Sequence, residues 1–261
     1  MKYVDVHAHY DDDRFNEDLE QELEDVRKSQ VKYIINAGSS IENSKKALNL
    51  ALTHEYMYCT IGIHPECTNE LENVEEIEKL YNEYKTSGKI VAIGEIGIDY
   101  HYDDIDKEKQ MELFIAQLKL AKRLNLPVQI HSRDAVADML EVMKQVDILP
   151  EKIMFHCYEL NEELTKIILD RGYSISLGGN ITYKRKESAK KQIREIPLSQ
   201  IMLETDSPYL APQNVRGTRN SSKNLCYVAE EIANLKGITI EEVVEQTYIN
   251  ACEFYSLRKD I

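Results

Sequence analysis

The sequence predicts an α/β protein of the (β/α)8 barrel class, the TIM barrel, and three observations predict it. Short apolar runs that favour β-strands alternate with longer amphipathic segments that favour helices. Eight such runs occur within 261 residues, close to the roughly 250 residues typical of one barrel. Histidines and carboxylates, the residue types that bind metal ions, stand at or near the ends of several runs. In a barrel these ends surround the active-site opening, or mouth. A doubly wound sheet is the main alternative.

The strand candidates follow one another along the chain at residues 3–9, 31–37, 58–64, 90–98, 127–131, 152–156, 173–177 and 201–205. In the first run Asp5, His7 and His9 share one parity, so we expect their side chains to face the barrel interior. Val4 and Val6 have the other parity and are expected to face the helices. This arrangement fits a barrel mouth better than an open sheet.

Helices are predicted between and after these strands. The clearest helical patterns cover residues 105–124, 161–170, 223–235 and 239–255. Apolar residues near helical spacing mark the first of them, at Met111, Leu113, Phe114, Leu118 and Ala121. Thr239 and Glu242 form a capping-box pattern at the start of the last one.

Composition limits the possible classes of protein. The chain has 32 basic and 46 acidic residues, a net charge of −14, which disfavours coating long nucleic acid. Five cysteines without a CxxC pair indicate reduced thiols and a cytoplasmic protein. No targeting segment or membrane span is expected. No linker or charge break marks a boundary, so residues 1–261 are predicted to form one domain, acting as a monomer.

Imidazoles and carboxylates recur at or near the ends of the predicted strands. An HxH pair on a strand can bind one ion, but as an isolated signal it is only modest. The signal is strengthened by similar residues on other strands, which makes six candidate metal ligands: His7, His9, Glu95, His131, His156 and Asp206. Six ligands are too many for one tetrahedral ion with an open position, and two bridged divalent ions fit better. Zn²⁺, Mn²⁺ and Mg²⁺ all suit this donor set.

The chain resembles the TatD family of metal-dependent deoxyribonucleases, in the amidohydrolase-like barrel class. The resemblance runs from residue 4 to about residue 255. The segments that carry it are VDVHAH, IGIHP, AIGEIGIDY, NLPVQIHSRDA, FHC, and LETDSPYLAP with RGTRN. It implies a two-metal hydrolase of phosphodiester bonds in which Glu95 bridges the ions. By the same resemblance, the first ion is held by His7, His9 and Asp206, and the second by His131 and His156.

The expected chemistry assigns catalytic roles to two carboxylates. Metal ions lower the pKa of a bound water molecule, and Asp206 is predicted to take its proton while Glu95 holds the ions together. Glu204 and Asp5 stand two positions before Asp206 and His7, with the same parity and deeper in the barrel. We therefore expect their side chains to lie behind the ligands.

Four residues are candidates for substrate binding. His64 matches the substrate-side histidine of the TatD family, with a strand-end cap as the alternative. Arg133 could grip a phosphate with its fork of donors, or pair with Asp134. Arg216 and Arg219 follow the eighth strand, where barrels often hold phosphate, and we expect them to contact substrate.

The segment after the fourth strand is rich in aromatic and acidic residues. Tyr100 and Tyr102 could stack on a nucleobase. Asp103 and Asp104 would repel phosphate, so a role in organising the loop is an equal alternative.

The predicted function is removal of nucleotides from single-stranded DNA ends by two divalent metal ions. An acidic protein with a recessed mouth suits ends better than the middle of a duplex. A first rival is a metal-dependent carbonyl hydrolase, such as an aminoacyl-tRNA deacylase or a lactonase, because the same activated water would serve both. A second rival is a barrel that only binds or scaffolds, which the six occupied ligand positions argue against.

Overall fold

Eight parallel strands form one sheet whose spatial order follows the chain. The computed structural model describes residues 1–184 and 187–258. The strands are β1 (Tyr3–Ala8), β2 (Val31–Ala37), β3 (Met57–Ile61), β4 (Ile90–Asp99), β5 (Val128–Arg133), β6 (Ile153–Phe155), β7 (Ser174–Leu177) and β8 (Ile201–Leu203). A parallel bridge between Ala8 of β1 and Ser207, four residues after the end of β8, brings the first and last strands together. The predicted barrel class is therefore confirmed.

The helices lie between the strands and after the last one. They are α1 (Leu19–Lys28), α2 (Ile41–Thr53), α3 (Val74–Tyr84), α4 (Lys107–Leu124), α5 (Val136–Lys144), α6 (Glu162–Asp170), α7 (Glu187–Glu195), α8 (Leu225–Lys236) and α9 (Ile240–Tyr255). Asp106 begins α4 because its carboxylate accepts a bond from the Lys109 amide at 3.0 Å. The capping box of Thr239 and Glu242 is present at the start of α9. Within the described residues, no helix is both long and apolar enough to cross a membrane.

The end of α9 closes the barrel at the amino-terminal ends of the strands. Phe254 and Tyr255 pack in one buried cluster with Met154 and Met202 from the strands. The Lys152 ammonium donates to the carbonyl of Glu253 at 2.6 Å, which fixes this end of the helix. The opposite, carboxyl-terminal end of the barrel remains open to solvent through the cavity described below.

The predicted alternation of inward-facing and outward-facing side chains along β1 is wrong at the start of the strand. Asp5 accepts bonds from Thr205 and from Ser222, a residue of the turn that precedes α8. Val4 and Val6 instead belong to the cluster that the end of α9 completes. The pairing of β1 with β2 shifts register between Asp5 and Ala8, which breaks the simple alternation of faces. Asp5 therefore does not lie behind the ligands on their own face.

Close packing of β4 against β5 requires a glycine at position 97. A Cβ atom built there would lie 1.9 Å from the carbonyl oxygen of His131, which is a backbone atom. Gly97 also has a φ of 152°, which L-residues rarely adopt. Because Glu95 and His131 are carried by these two strands, the same close approach sets their separation.

We predict that Gly97→Ala lowers the free energy of unfolding by at least about 3 kcal/mol, because backbone must move to admit the methyl group. Gly88→Ala is the matched control, since Gly88 has a φ of 68° but nothing within 4 Å of an added Cβ. It should cost only about 1 kcal/mol. Urea unfolding measures both, and equal losses would contradict the packing argument.

Candidate metal centre

The six predicted ligands converge at the carboxyl-terminal end of the barrel. Three of them, His7, Glu95 and His156, are buried. The rings of His7 and His156 stack with their centroids 3.9 Å apart, which joins residues from the first and sixth strands. The donor atoms form two groups that share Glu95.

The first group contains the two imidazoles of β1 and two carboxylates. His7 Nε2 and His9 Nε2 are 3.1 Å apart. Each lies 3.5 to 3.7 Å from both Glu95 Oε2 and Asp206 Oδ1. Four donor atoms from β1, β4 and the end of β8 therefore face one point.

The second group uses the other oxygen of the same glutamate. Glu95 Oε1 lies 2.8 Å from His131 Nδ1 and 2.7 Å from His156 Nε2. The two imidazole nitrogens are 3.1 Å apart. His64 Nε2 lies 3.5 Å from the same oxygen.

The donor spacing in the first group fits a divalent metal ion. Bonds of about 2.0–2.1 Å place the ligands of one ion about 2.9 to 3.4 Å apart, depending on the coordination geometry. The separations of 3.1 to 3.7 Å in the first group are close to that range. Imidazole with carboxylate is a donor set that Zn²⁺ and Mn²⁺ accept readily, and the carboxylates also suit Mg²⁺.

The outward-facing nitrogens of three ligand histidines are also bonded. His9 Nδ1 faces the carbonyl of Ala37 at 3.1 Å, and His131 Nε2 faces Asp99 Oδ2 at 2.9 Å. His7 Nδ1 faces Gln129 Oε1 at 2.8 Å. Such partners orient a metal-binding imidazole and select the tautomer whose inner nitrogen is free to bind.

The Gln129 amide determines the tautomer of His7. Gln129 Nε2 donates to the carbonyl of Val6 and to the hydroxyl of Tyr255, both at 2.7 Å. The carbonyl of Val6 can only accept, so the amide nitrogen must face it and the amide oxygen must face His7. His7 Nδ1 therefore keeps a proton, so Nε2, which is directed at the metal centre, is the nitrogen that would give up its proton to bind an ion.

The fourth ligand histidine lacks such a partner. His156 Nδ1 and Glu204 Oε1 are both buried without a hydrogen bond among the residues that the structure describes. The other oxygen of Glu204 lies 3.8 Å from His156 Nδ1, behind the ligand as the sequence predicted. Burial raises the pKa of the Glu204 carboxyl to about 8.

The cluster stabilises positive charge. Burial opposes protonation of His7, but the hydrogen bond and charge of Glu95 raise its pKa to about 10. Burial likewise opposes protonation of His131, and its bonds to Asp99 and Glu95 raise its pKa to about 9. A divalent ion would supply the same charge and would compete with these protons.

Asp206 follows β8 with its backbone in the left-handed region, at a φ of 56°. Its amide donates to the carbonyl of His7 at 2.9 Å, which ties the end of β8 to the ligand strand β1. Aspartate tolerates this conformation better than most residues. Its side chain is 17% exposed, compared with 5% for that of Glu95.

His64 also faces the cavity, as a hydrogen-bond donor. The Glu66 amide donates to His64 Nδ1 at 3.2 Å. Burial lowers the pKa of His64 to about 3, so the imidazole is neutral. Because Nδ1 accepts a bond, the proton lies on Nε2, which points toward Glu95 Oε1.

The structure separates the three arginines predicted to bind substrate. Arg133 lines the cavity and forms no ion pair in the described part of the chain, while its neighbour Asp134 is bonded to His101. Arg216 stacks over Tyr183 and, among the described residues, is not part of the cavity lining.

Arg219 is held away from the cavity by contacts with the α1 region. Its guanidinium forms two hydrogen bonds with Asp18, at 2.8 and 2.6 Å, and covers the ring of Phe15. Among the described residues it does not line the cavity. The structure thus brings the six ligands, His64 and Arg133 together and leaves Arg216 and Arg219 outside.

The sequence prediction assigned no role to two residues that contact the ligands. Gln129 stands two positions before His131, and Asp99 stands four positions after Glu95. Each is separated from its neighbouring ligand by an even number of positions, which is consistent with a side chain on the same, inward face of the strand. Their hydrogen bonds to His7 and His131 depend on contacts between strands, which parity alone does not predict.

A parallel barrel that gathers imidazoles and carboxylates at its strand ends defines the class of metal-dependent hydrolases. This chain belongs to the TatD-related DNase family, whose model matches residues 4–256. It is 34% identical over 253 residues to YabD of Bacillus subtilis, described as an uncharacterized metal-dependent hydrolase, and the match covers 97% of this chain and 98% of YabD.

Two further relatives support the assignment. TATDN3 of mouse, named provisionally as a deoxyribonuclease, is 31% identical over 265 residues, covering 97% of this chain and 87% of TATDN3. The crystal structure of YjjV, a TatD homologue from Escherichia coli, superposes with a TM-score of 0.91 at 29% identity, covering 98% of both chains.

We predict that Gln129→Met weakens metal binding tenfold to a hundredfold, roughly the range for loss of such a partner, because His7 is no longer held in the required tautomer. Gln192→Met is the matched control, since Gln192 is also buried and bonded, to Thr165. Calorimetric titration of Mn²⁺ into the metal-free proteins measures the dissociation constants. Equal constants for the two variants would contradict the assigned role.

Proposed function

We propose that this protein is a two-metal deoxyribonuclease that acts as a monomer and removes nucleotides from single-stranded DNA ends. One observation carries the proposal: the two oxygens of Glu95 face two separate groups of donors. The family description and the name of TATDN3 support DNA as the substrate. All the donors come from one chain, which supports a monomer.

Six residues would hold the two ions. His7, His9 and Asp206 would bind the first, His131 and His156 the second, and Glu95 both. When bound, such ions lower the pKa of water and offset negative charge that develops on phosphoryl oxygens.

Asp206 is the residue proposed to accept the proton of the attacking water. It is the more exposed of the two carboxylates in the donor groups, so a water molecule can approach it from the cavity. Its side chain lines the cavity at the open end of the barrel. Glu95 is more deeply buried between the histidines and serves to hold the two ions.

His64 and Arg133 are the proposed contacts for the scissile phosphate. The Nε2–H of His64 is a neutral donor that faces the cavity. Arg133 supplies a fork of donors that matches a phosphate. Arg216 and Arg219 are proposed only as contacts for a longer strand that leaves the cavity, since both lie outside its lining in the described residues.

The depth of the site supports a preference for single-stranded ends. The metal ligands lie at the floor of a cavity of about 610 Å³. A flexible strand end can reach such a floor, whereas the phosphates of a rigid duplex lie along its outside.

One observation favours the rival carbonyl hydrolase. Besides Glu95 and Asp206, the cavity is lined by five carboxylates, at Asp11, Asp12, Glu66, Asp99 and Glu159. In the described part of the chain these face one arginine, Arg133. This balance suits a substrate whose reacting bond is an uncharged ester, such as the aminoacyl ester of a tRNA or a lactone.

A single assay separates the two functions. The protein, reconstituted with Mg²⁺, Mn²⁺ or Zn²⁺, is given an end-labelled single strand, the matching duplex and a panel of aminoacyl esters and lactones. We expect stepwise shortening of the single strand and slower loss of the duplex. Ester hydrolysis without nucleotide release would overturn the proposal in favour of the rival.

We predict that Asp206→Asn lowers turnover of the single strand at least about a hundredfold, because the amide cannot take the proton and binds metal poorly. Asparagine also tolerates the left-handed backbone, so the fold should persist. Asp134→Asn is the matched control, since Asp134 has a φ of 53° and is largely exposed. Retention of more than a tenth of wild-type turnover by a metal-loaded Asp206→Asn would reject the proton-accepting role.

A further inference from the structure

Two exposed tyrosines stand at the mouth of the metal cavity. Large apolar or aromatic side chains with substantial exposure occur at five positions in residues 1–184 and 187–258. Two of these five, Tyr102 at 51% and Tyr209 at 40%, line the cavity. An exposed aromatic ring at a cavity mouth offers a face on which a planar ligand group can stack.

Tyr209 is held close to the first donor group. Its hydroxyl donates to Asp12 Oδ2 at 2.8 Å, and the guanidinium carbon of Arg14 lies 4.4 Å from the ring centroid. The ring centroid is 6.2 Å from that of the ligand His9. The ring is therefore fixed in orientation beside the metal ligands while much of it remains open.

Tyr102 belongs to the other side of the cavity. It follows β4 and contacts the edge of the His101 ring, with centroids 5.2 Å apart. The guanidinium carbon of Arg133, the proposed phosphate contact, lies 5.9 Å from its ring. The two tyrosines thus lie beside different donor groups. Tyr209 lies near His9 of the first group, and Tyr102 lies near Arg133, which follows His131 of the second group.

The charges around the mouth explain why aromatic contacts are needed. Five carboxylates in addition to the ligands line the cavity, against Arg133. Affinity for single strands normally combines cationic contacts to phosphates with stacking of bases on aromatic rings. Since carboxylates outnumber cationic side chains in the described cavity lining, stacking is the remaining source of affinity for a nucleotide chain.

We infer that Tyr102 and Tyr209 are two base-stacking subsites that hold nucleobases on either side of the scissile phosphate. The inference rests on the proposed function and adds to it the part of the substrate that is recognised. Stacking accepts every base, so it confers little sequence preference. It also requires bases whose faces are free, which selects unpaired ends over duplex.

The test measures coupling between each ring and one base. Tyr102→Leu and Tyr209→Leu are compared with wild type on a single strand and on strands with a tetrahydrofuran abasic residue at one of the terminal positions. The abasic residue at a stacked position should lower wild-type kcat/KM about fivefold to a hundredfold. In the matching leucine variant, whose stack is already lost, the same abasic residue should cause little further loss.

Phenylalanine variants separate stacking from structure. Tyr102→Phe and Tyr209→Phe keep the rings and should retain the sensitivity to the abasic residue. Tyr227→Leu, on α8 and outside the cavity lining in the described residues, is the control for loss of a tyrosine elsewhere. Circular dichroism checks that each variant is folded.

Three results would overturn the inference. If the leucine substitution and the abasic residue lower kcat/KM by factors that simply multiply, the ring and the base do not interact. Damage from Tyr209→Phe equal to that from Tyr209→Leu would assign Tyr209 to its bond with Asp12 instead. In both cases DNA hydrolysis by the wild type would leave the proposed function standing, whereas absence of hydrolysis would remove function and inference together.

Discussion

The buried carboxylate of Glu95, in contact with imidazoles on both of its oxygens, is the interaction on which the site depends. A carboxylate this deeply buried is costly unless positive charge surrounds it. Against the effect of burial, the nearby imidazoles, with hydrogen bonds from His131 and His156, hold the pKa of the Glu95 carboxyl well below its usual value. Of these two donors, His131 also carries positive charge, since its pKa is raised to about 9. The same arrangement favours the binding of divalent cations, because a bound cation can replace the protons on the imidazoles and neutralise the same carboxylates.

The barrel makes this concentration possible. Parallel strands bring their carboxyl-terminal ends to one edge, so residues 7 and 206, nearly two hundred positions apart, become neighbours. The rigid parts of the fold lie behind the ligands: Gly97 allows β4 and β5 to approach, and Tyr255 of α9 fixes the Gln129 amide from below. Packed strands and a helix thereby determine the orientation of the ligands. Of the residues proposed to meet substrate, His64, Tyr102 and Tyr209 stand on loops, whereas Arg133 ends β5.

Much of this architecture could be predicted from the sequence, and the failures have identifiable physical causes. The eight strands were recognisable because each is a buried apolar run, and the ligands because imidazole and carboxylate at such positions are unusual. The faces of β1 were misassigned at Asp5, because a register shift cannot be read from alternation. Arg219 was expected at the substrate, yet Asp18 of a neighbouring loop holds it, and such a pairing depends on which loops meet in space.

An acidic protein of net charge −14 that acts on a polyanion presents a physical difficulty, which the division between floor and rim of the cavity resolves. Charges are screened over about 8 Å at physiological ionic strength, so the charge of the distant surface contributes little at the floor. The charged groups nearest the site matter most. On the proposed function, the donors at the floor would hold divalent cations, while Asp11, Asp12, Glu66 and Glu159 line the cavity around them with one arginine among the described residues. For the proposed substrate, this arrangement attracts the single phosphate that reaches the floor and repels those that remain at the rim. A long duplex would present many phosphates to the rim and few to the floor, whereas a strand end would present the reverse, so this charge distribution agrees with the proposed action on ends.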